Sequence, residues 1–300
     1  MNTNHNFSLQ VKTWLLSLDM SFVVVTDNTD SFDSIKIIQN EKLLLIIKLI
    51  DIKNWTFSLQ NTANKYQDLS KSRDEIRKSG VSFVTLWEDI WLTENTIVKS
   101  RLSALLGISQ RIPARMTKAR RIDKPMADKF LDQNHLQHTV SAKLKYGLFL
   151  PKQYFRVLKP EFQPDLCVSE ILVAVATFSH PRIFERGDKP FRSYELIRFA
   201  NLLNTTVIGG FDKLLTYFEK ECKPDDIMTY ADLDWSDGAS YRRLGFEAVS
   251  DKDPMAFWLN TETNERFPQS KITKEQHFIT VYNGGSRKFV KEIVTPPLSE

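Results

Sequence analysis

Two acids and a lysine near the start of the chain have the types and spacing for metal-dependent chemistry. Asp33, followed by Asp51 and Lys53, formally satisfies the pattern D…(D/E)xK. Two carboxylates can hold Mg²⁺, so Asp33 and Asp51 are the candidate metal ligands, and Lys53 can orient an attacking water. The aliphatic run 43–52 predicts a strand. Alternation along it would put Asp51 and Lys53 on one face and Ile50, Ile52 and Asn54 on the other. Glu88 and Asp89, beside Trp87, would support the site from the end of the next strand, or simply form a solvated helix entry.

A second set lies in the C-terminal half. Val207, Gly209 and Gly210 stand between a strand and a helix. Glycines there let backbone N–H groups approach a ligand, and a helix N-terminus favours anions, so a pyrophosphate could be cradled. A tight turn needing positive φ accounts for them equally well. Asp232 closes a strand, where a carboxylate serves as a base, orients a ligand or caps the next turn. Tyr241 lies in the string Tyr241-Arg242-Arg243-Leu244-Gly245-Phe246. His135 and His138, at i and i+3, could share a helical face as ligands, although no third ligand is evident.

The elements that must position these residues can be read from patterning. Residues 1–60 are β-rich, with strands expected at 22–26, 34–38 and 43–52. A helix over 63–79 stops at Gly80, a strand over 81–87 follows, and a helix over 93–106 stops at Gly107. This order predicts a small α/β domain over residues 1–106. Residues 107–124, with a Gly, a Pro and six basic side chains, read as a linker. In residues 125–300, helices are expected at 125–134, 211–221 and 239–244. Strands are expected at 143–150, 170–178, 193–200, 227–232, 255–260, 278–282 and 288–294, with a proline-rich loop at 151–168. The fold class is therefore α/β in the broad sense, an α+β chain of two domains.

Composition narrows the classes. The chain has 300 residues, 42% hydrophobic and 26% charged, which is ordinary for a folded soluble protein. Two cysteines exclude a disulfide framework and a thiolate zinc centre. The N-terminus lacks the pattern of a signal peptide, and 43–50 is too short to span a bilayer, so a cytoplasmic protein without membrane contact is expected. The net charge of +4 hides an asymmetry. Residues 99–129 hold nine basic side chains against two acids, +7, which leaves −3 for the rest. Arg111, Arg115, Lys118, Arg120 and Arg121 could follow a DNA phosphate backbone without reading bases.

Tyr-x-x-Leu-Gly-Phe after a glycine-headed helix resembles the GNAT acyltransferase fold. The resemblance implies a GNAT-like mixed sheet in residues 125–300 and acyl-CoA as cofactor. Tyr241 would be the acid for the thiolate leaving group, and Gly209 and Gly210 would face the pyrophosphate. The usual loop, Arg/Gln-x-x-Gly-x-Gly/Ala, is reduced here to Thr206-Val207-Ile208-Gly209-Gly210-Phe211. A longer series of runs resembles phage-encoded homing-endonuclease-like proteins across roughly residues 75–294. These runs include LWEDIWLTENTIVKSRLSALLG, IPARMTKARRI, YADLDWSDGASYRRLGF and VYNGGSRKFV. Such proteins join a very-short-patch-repair or PD-(D/E)xK nuclease half to a GNAT-like half. Aligned simply, the key acid of that nuclease falls at Lys48, and the Gly and His expected after it are absent, which implies an eroded site. Three readings stand: a DNA-acting protein of the homing-endonuclease kind, an acyl-CoA-dependent transferase acting on nucleic acid or protein, and a non-catalytic DNA-binding or interaction protein.

Overall fold

The computed structural model describes residues 7–18, 21–28, 31–57, 62–160, 162, 167–186, 189–270, 272–273 and 277–293. Part of the expected 151–168 loop and the end of the 288–294 strand lie outside the described residues. The chain begins with α1 (Phe7–Ser17), β1 (Val23–Asp27), β2 (Ser34–Gln39), β3 (Lys42–Ile50), α2 (Ile52–Phe57), α3 (Thr62–Lys78), β4 (Ser82–Trp87) and α4 (Glu88–Thr93). Then come α5 (Asn95–Leu105), β5 (Gln110–Pro113), β6 (Lys118–Arg121), α6 (Lys124–Asn134), β7 (Leu144–Pro151), β8 (Glu170–Phe178), β9 (Arg182–Arg186) and β10 (Lys189–Asn201). The rest comprises β11 (Thr205–Ile208), α7 (Gly210–Cys222), β12 (Asp226–Asp232), α8 (Ala239–Arg243), β13 (Glu247–Lys252), β14 (Ala256–Asn260), β15 (Arg266–Pro268), β16 (Phe278–Tyr282) and β17 (Ser286–Glu292). No helix among the described residues is long and apolar enough to cross a membrane.

Two compact units emerge. The first takes Met1–Asn95, Ala231–Asp237 and Asp251–Arg287, and the second Thr96–Tyr230, Gly238–Ser250 and Lys288–Glu300. The expected division at 106/107 is therefore corrected. The first unit's opening segment ends at Asn95, and residues 231–237 and 251–287 return to it. Residues 107–124 are not a linker. They form β5, a 3-10 turn at Ala114–Met116, and β6, all within the second unit. Strands of four residues punctuated by Gly and Pro look like linker in sequence. Here β5 pairs in parallel with β11, and β6 pairs antiparallel with β7.

In the first unit, β1, β2 and β3 pair antiparallel and β4 joins β3 in parallel. Six consecutive residues of β3, Leu45 to Ile50, are buried, as in a strand covered on both faces. The core gathers Phe32, Ile50, Trp55 and Trp87 with Leu259 and Val281 from the β15-β14-β16 sheet. Trp55 Nε1 donates to the Thr280 carbonyl at 2.8 Å, so the buried indole keeps its hydrogen bond.

The second unit carries a mixed sheet ordered β13-β17-β12-β10-β8-β7-β6, with β9 paired to β10. The fold class is α+β, as expected. One side is covered by α6, whose Ala127, Phe130 and Leu131 pack on Val175 and Ala200. From α7, Phe218 stacks on Phe178 with ring centroids 3.8 Å apart.

Candidate active site

In the second unit the pairing of two central strands is short. β10 and β12 pair in parallel only over Ser193–Glu195 and Asp226–Met228. Beyond Glu195, β10 stays with β8, and the register slips between Leu196 and Arg198, a bulge at Ile197. Bulges bend a strand and re-aim its groups. The Leu196 carbonyl is satisfied by Thr229 Oγ1 of β12, which donates to it at 3.0 Å. The Thr229 hydroxyl is in turn hydrogen-bonded to Tyr241 of α8.

Local sequence fixes Tyr241 there. Gly238 caps α8 at φ 84°, and a Cβ on it would lie 2.2 Å from the Phe289 ring. Only glycine satisfies both demands. The Tyr241 ring then packs against Phe211, Phe246 and Phe289, with centroids 5.8, 5.8 and 5.4 Å away. Burial holds the phenol above its ordinary pKa, against the Thr229 hydrogen bond and the charges of Arg101 and Arg198. A phenol so placed stays protonated at neutral pH, which suits an acid and not a base.

The surroundings are cationic. His135 is pushed down to about 3, first by burial and then by Arg101, Arg198 and His138. Its imidazole is therefore neutral throughout the physiological range. Arg198 Nε donates to the His138 carbonyl at 3.2 Å. The expected shared helical face of His135 and His138 is corrected. The helix ends at Asn134, and His135 is already extended at φ −124°. Among the described residues, no group of three or more His, Cys, Asp or Glu is placed to hold a metal ion.

The glycine turn is present but differs from an open anion cradle. Gly209 caps α7 at φ 75°. A Cβ on Gly210 would strike the Val207 side chain at 2.7 Å, and Val207 itself is a buried core residue of β11. The 3-10 turn lies against this helix start. Lys213, on the first turn, donates to the Ala114 carbonyl at 2.9 Å and also to the Thr117 carbonyl. Asp212 places a carboxylate in the same turn. It complements the helix dipole and opposes a second anion.

The basic run is exposed but partly neutralised. Arg120 pairs with Glu170 and lies 3.4 Å from the Phe149 ring centroid. Arg121 reaches Glu221 at 2.5 Å, and Lys124 pairs with Asp128. Arg111, Arg115 and Lys118 are exposed, and no ion pair is formed by them among the described residues. Fewer cations remain for a phosphate partner than the bare +7 suggests.

In the first unit the expected metal site is not assembled as the sequence suggested. The strand ends at Ile50. Asp51 caps α2, its Oδ1 accepting from the Asn54 N–H at 2.7 Å and its Oδ2 from the Asn54 amide at 2.9 Å. Lys53 is an exposed residue of that helix, so Asp51 and Lys53 share no strand face. Asp33 precedes β2, and its carbonyl accepts from the Leu49 N–H at 2.9 Å. At the position where the resemblance expects an acid, Lys48 is buried and donates to the Phe32 carbonyl at 2.7 Å. Asp89 is no solvated helix entry. It is fully buried and accepts from Arg266 at 2.8 Å through Nη2 and also from Nε. Glu88 accepts from the Ile52 N–H at 2.8 Å.

Asp232 closes β12 and belongs to the first unit. Its Oδ1 accepts from the Asp234 N–H at 3.0 Å, and its carbonyl accepts from Trp235 and Ser236, so it shapes the turn. Sequence reasoning passed over Asp234. That carboxyl is buried and accepts from the Gly284 N–H at 2.7 Å. Burial, then the charge of Asp232, push it up to about 7, against the Gly284 hydrogen bond, Arg266 and Arg73. A Cβ on Gly284 would lie 2.6 Å from Asp234 Oδ1. The only signal was the pairing of an acid-rich run with a distant Gly-Gly, which no local pattern links.

No protein-family model matches the chain, and no curated protein matches it. Among solved structures, it is similar to the NatC complex bound to Gag peptide and CoA at 9% identity and TM-score 0.32, over 59% of this chain and 99% of that one. It is similar to NAA60 of Arabidopsis thaliana in complex with acetyl-CoA at 12% identity and TM-score 0.34, over 59% and 99%. The third is histone acetyltransferase HPA2 and related acetyltransferase from Corynebacterium glutamicum, at 13% identity and TM-score 0.33, over 61% and 99%.

Proposed function

We propose that the second unit is an acyl-CoA-dependent transferase acting on a nucleic acid or a protein. The observation that carries this reading is Tyr241, held by Thr229 where β10 and β12 part and kept protonated by burial. Acyl-CoA, when bound, supplies an activated thioester. Tyr241 would deliver its proton to the departing sulfur. The residues fit the thiol end of such a cofactor better than its phosphate end. There, Asp212 and the turn at 114–117 leave the first-turn amides of α7 as the donors. Asp33, Asp51 and Lys53 receive no Mg²⁺-dependent role, because Asp51 is spent capping α2 and Lys53 faces solvent.

The test is acyl transfer from acetyl-CoA to nucleic acid and protein acceptors by wild type and Tyr241→Phe. Turnover that falls about 100-fold or more with unchanged acetyl-CoA affinity supports the assignment. Equal turnover by both proteins would overturn it.

A second reading concerns phosphate contact and rests on the exposed Arg111, Arg115 and Lys118. These side chains would follow a DNA backbone without sequence preference.

A further inference from the structure

We infer that the β9–β10 hairpin binds single-stranded nucleic acid on one face. Residues of β9 and the start of β10 pair antiparallel in the register Lys189↔Arg186, Phe191↔Phe184 and Ser193↔Arg182. Directly opposed residues lie on the same face and alternate residues share it. One face therefore carries Arg182, Phe184, Arg186, Lys189, Phe191 and Ser193. Glu185, the acid of β9, points to the other face with Ile183, Pro190 and Arg192.

All five residues of β9 are exposed, and Phe184 keeps 52% of its surface in solvent. An exposed aromatic in a strand with no covering element lacks a packing reason. Here it is one of a cross-strand pair, Phe184 beside Phe191, with cations before and after it. Two residues along a strand are about 7 Å at ~3.4 Å rise, so Arg182 lies on one side of the aromatic pair and Arg186 with Lys189 on the other. The Arg186 guanidinium sits 4.4 Å from the Phe191 ring centroid. Its ion pair with Glu292, at 3.4 Å, is solvent-exposed at both ends and so holds the guanidinium weakly.

The chemistry selects the occupant. Aromatic faces flanked by cations, with no carboxylate contributed to that face by the described residues of β9 and β10 and only the exposed Glu292 meeting Arg186, complement a polymer of stacked bases and phosphates. A single strand offers both, because its bases are free to stack on side chains, whereas a duplex hides them. A hydrophobic protein partner would gain nothing from the three cations. This site is separate from the β5–β6 basic segment and does not depend on the acyltransferase reading.

Fluorescence anisotropy with a labelled mixed-sequence 20-nucleotide DNA and its blunt duplex tests the proposal. The full-length chain is compared with Phe184→Ala/Phe191→Ala and with Arg182→Ala/Arg186→Ala/Lys189→Ala. The aromatic variant is expected to lose at least tenfold in affinity for the single strand and much less for the duplex. The charge variant is expected to lose affinity for both and to show a shallower salt dependence. Wild-type binding that both variants retain, absence of wild-type binding, or a change in oligomeric state by light scattering in place of a binding loss would each overturn it. Circular dichroism and acetyl-CoA calorimetry on the same variants, both expected to match wild type, separate loss of this site from misfolding and from failure of the transferase reading.

Discussion

Tyr241 owes its chemistry to what touches it. Three aromatic rings desolvate the phenol, and Thr229 fixes its hydroxyl near a backbone carbonyl of the bulged strand. Gly238 is as necessary as the tyrosine. Gly238→Ala would add a methyl group inside the Phe289 ring and force an L-residue to φ 84°. Overpacking and backbone strain together are expected to cost about 2–4 kcal/mol, measured by urea unfolding. Asp234 carries a different consequence. Its carboxyl titrates near 7 in the fold and near the ordinary 3.8 when unfolded. The folded state therefore holds a proton that the unfolded state has lost between those values. Stability is then fully present at low pH and falls as pH rises from about 4 through 7. Asp234→Asn keeps an acceptor for the Gly284 N–H and is expected to flatten that dependence in thermal melts across the range. An unchanged pH profile would remove Asp234 as its cause.

At the scale of elements, α2 shows how one capping side chain redirects the chain. The aliphatic alternation from 43 to 52 predicts a strand that passes through Asp51. The Asp51 carboxylate instead accepts from the Asn54 N–H and turns the backbone into a helix. Asp51→Ala is expected to cost about 1 kcal/mol of stability, read by chemical denaturation, through loss of the cap. Strands with strong β-branched runs, β2, β3 and β4, were legible, because their burial on the sheet is written in every residue. The helix α1 was not expected, since its stripe of Phe7, Val11 and Leu15 is diluted by polar residues in a segment that reads as β-rich. β5, β6 and β9 were missed for a related reason. Each has four or five residues; pairing partners far along the chain decide β5 and β6, and β9 is decided by pairing with the adjoining β10. Local motifs single out Tyr241, Gly209 and Gly210 in the sequence as candidates. The candidate site was illegible at Arg101, Arg198 and Thr229, which come together only through the sheet.

For the molecule as a whole, the charge asymmetry proves to be redistributed by folding. Of the nine cations in residues 99–129, Arg120, Arg121 and Lys124 meet Glu170, Glu221 and Asp128. Two of those acids lie outside the basic segment. The phosphate-binding reading therefore shifts from Arg120 and Arg121 toward Arg111, Arg115 and Lys118. Alanine at those three positions is expected to weaken duplex DNA binding and to reduce the slope of log K against log salt by about 0.9 for each phosphate no longer neutralised. Arg120→Ala should change the slope less, because its charge is already met by Glu170. Calorimetric titration of the full-length protein with acetyl-CoA tests the central claim most directly. Saturable one-site binding, retained in Tyr241→Phe, is the result expected of the proposed transferase. No heat of binding at millimolar acetyl-CoA would contradict it.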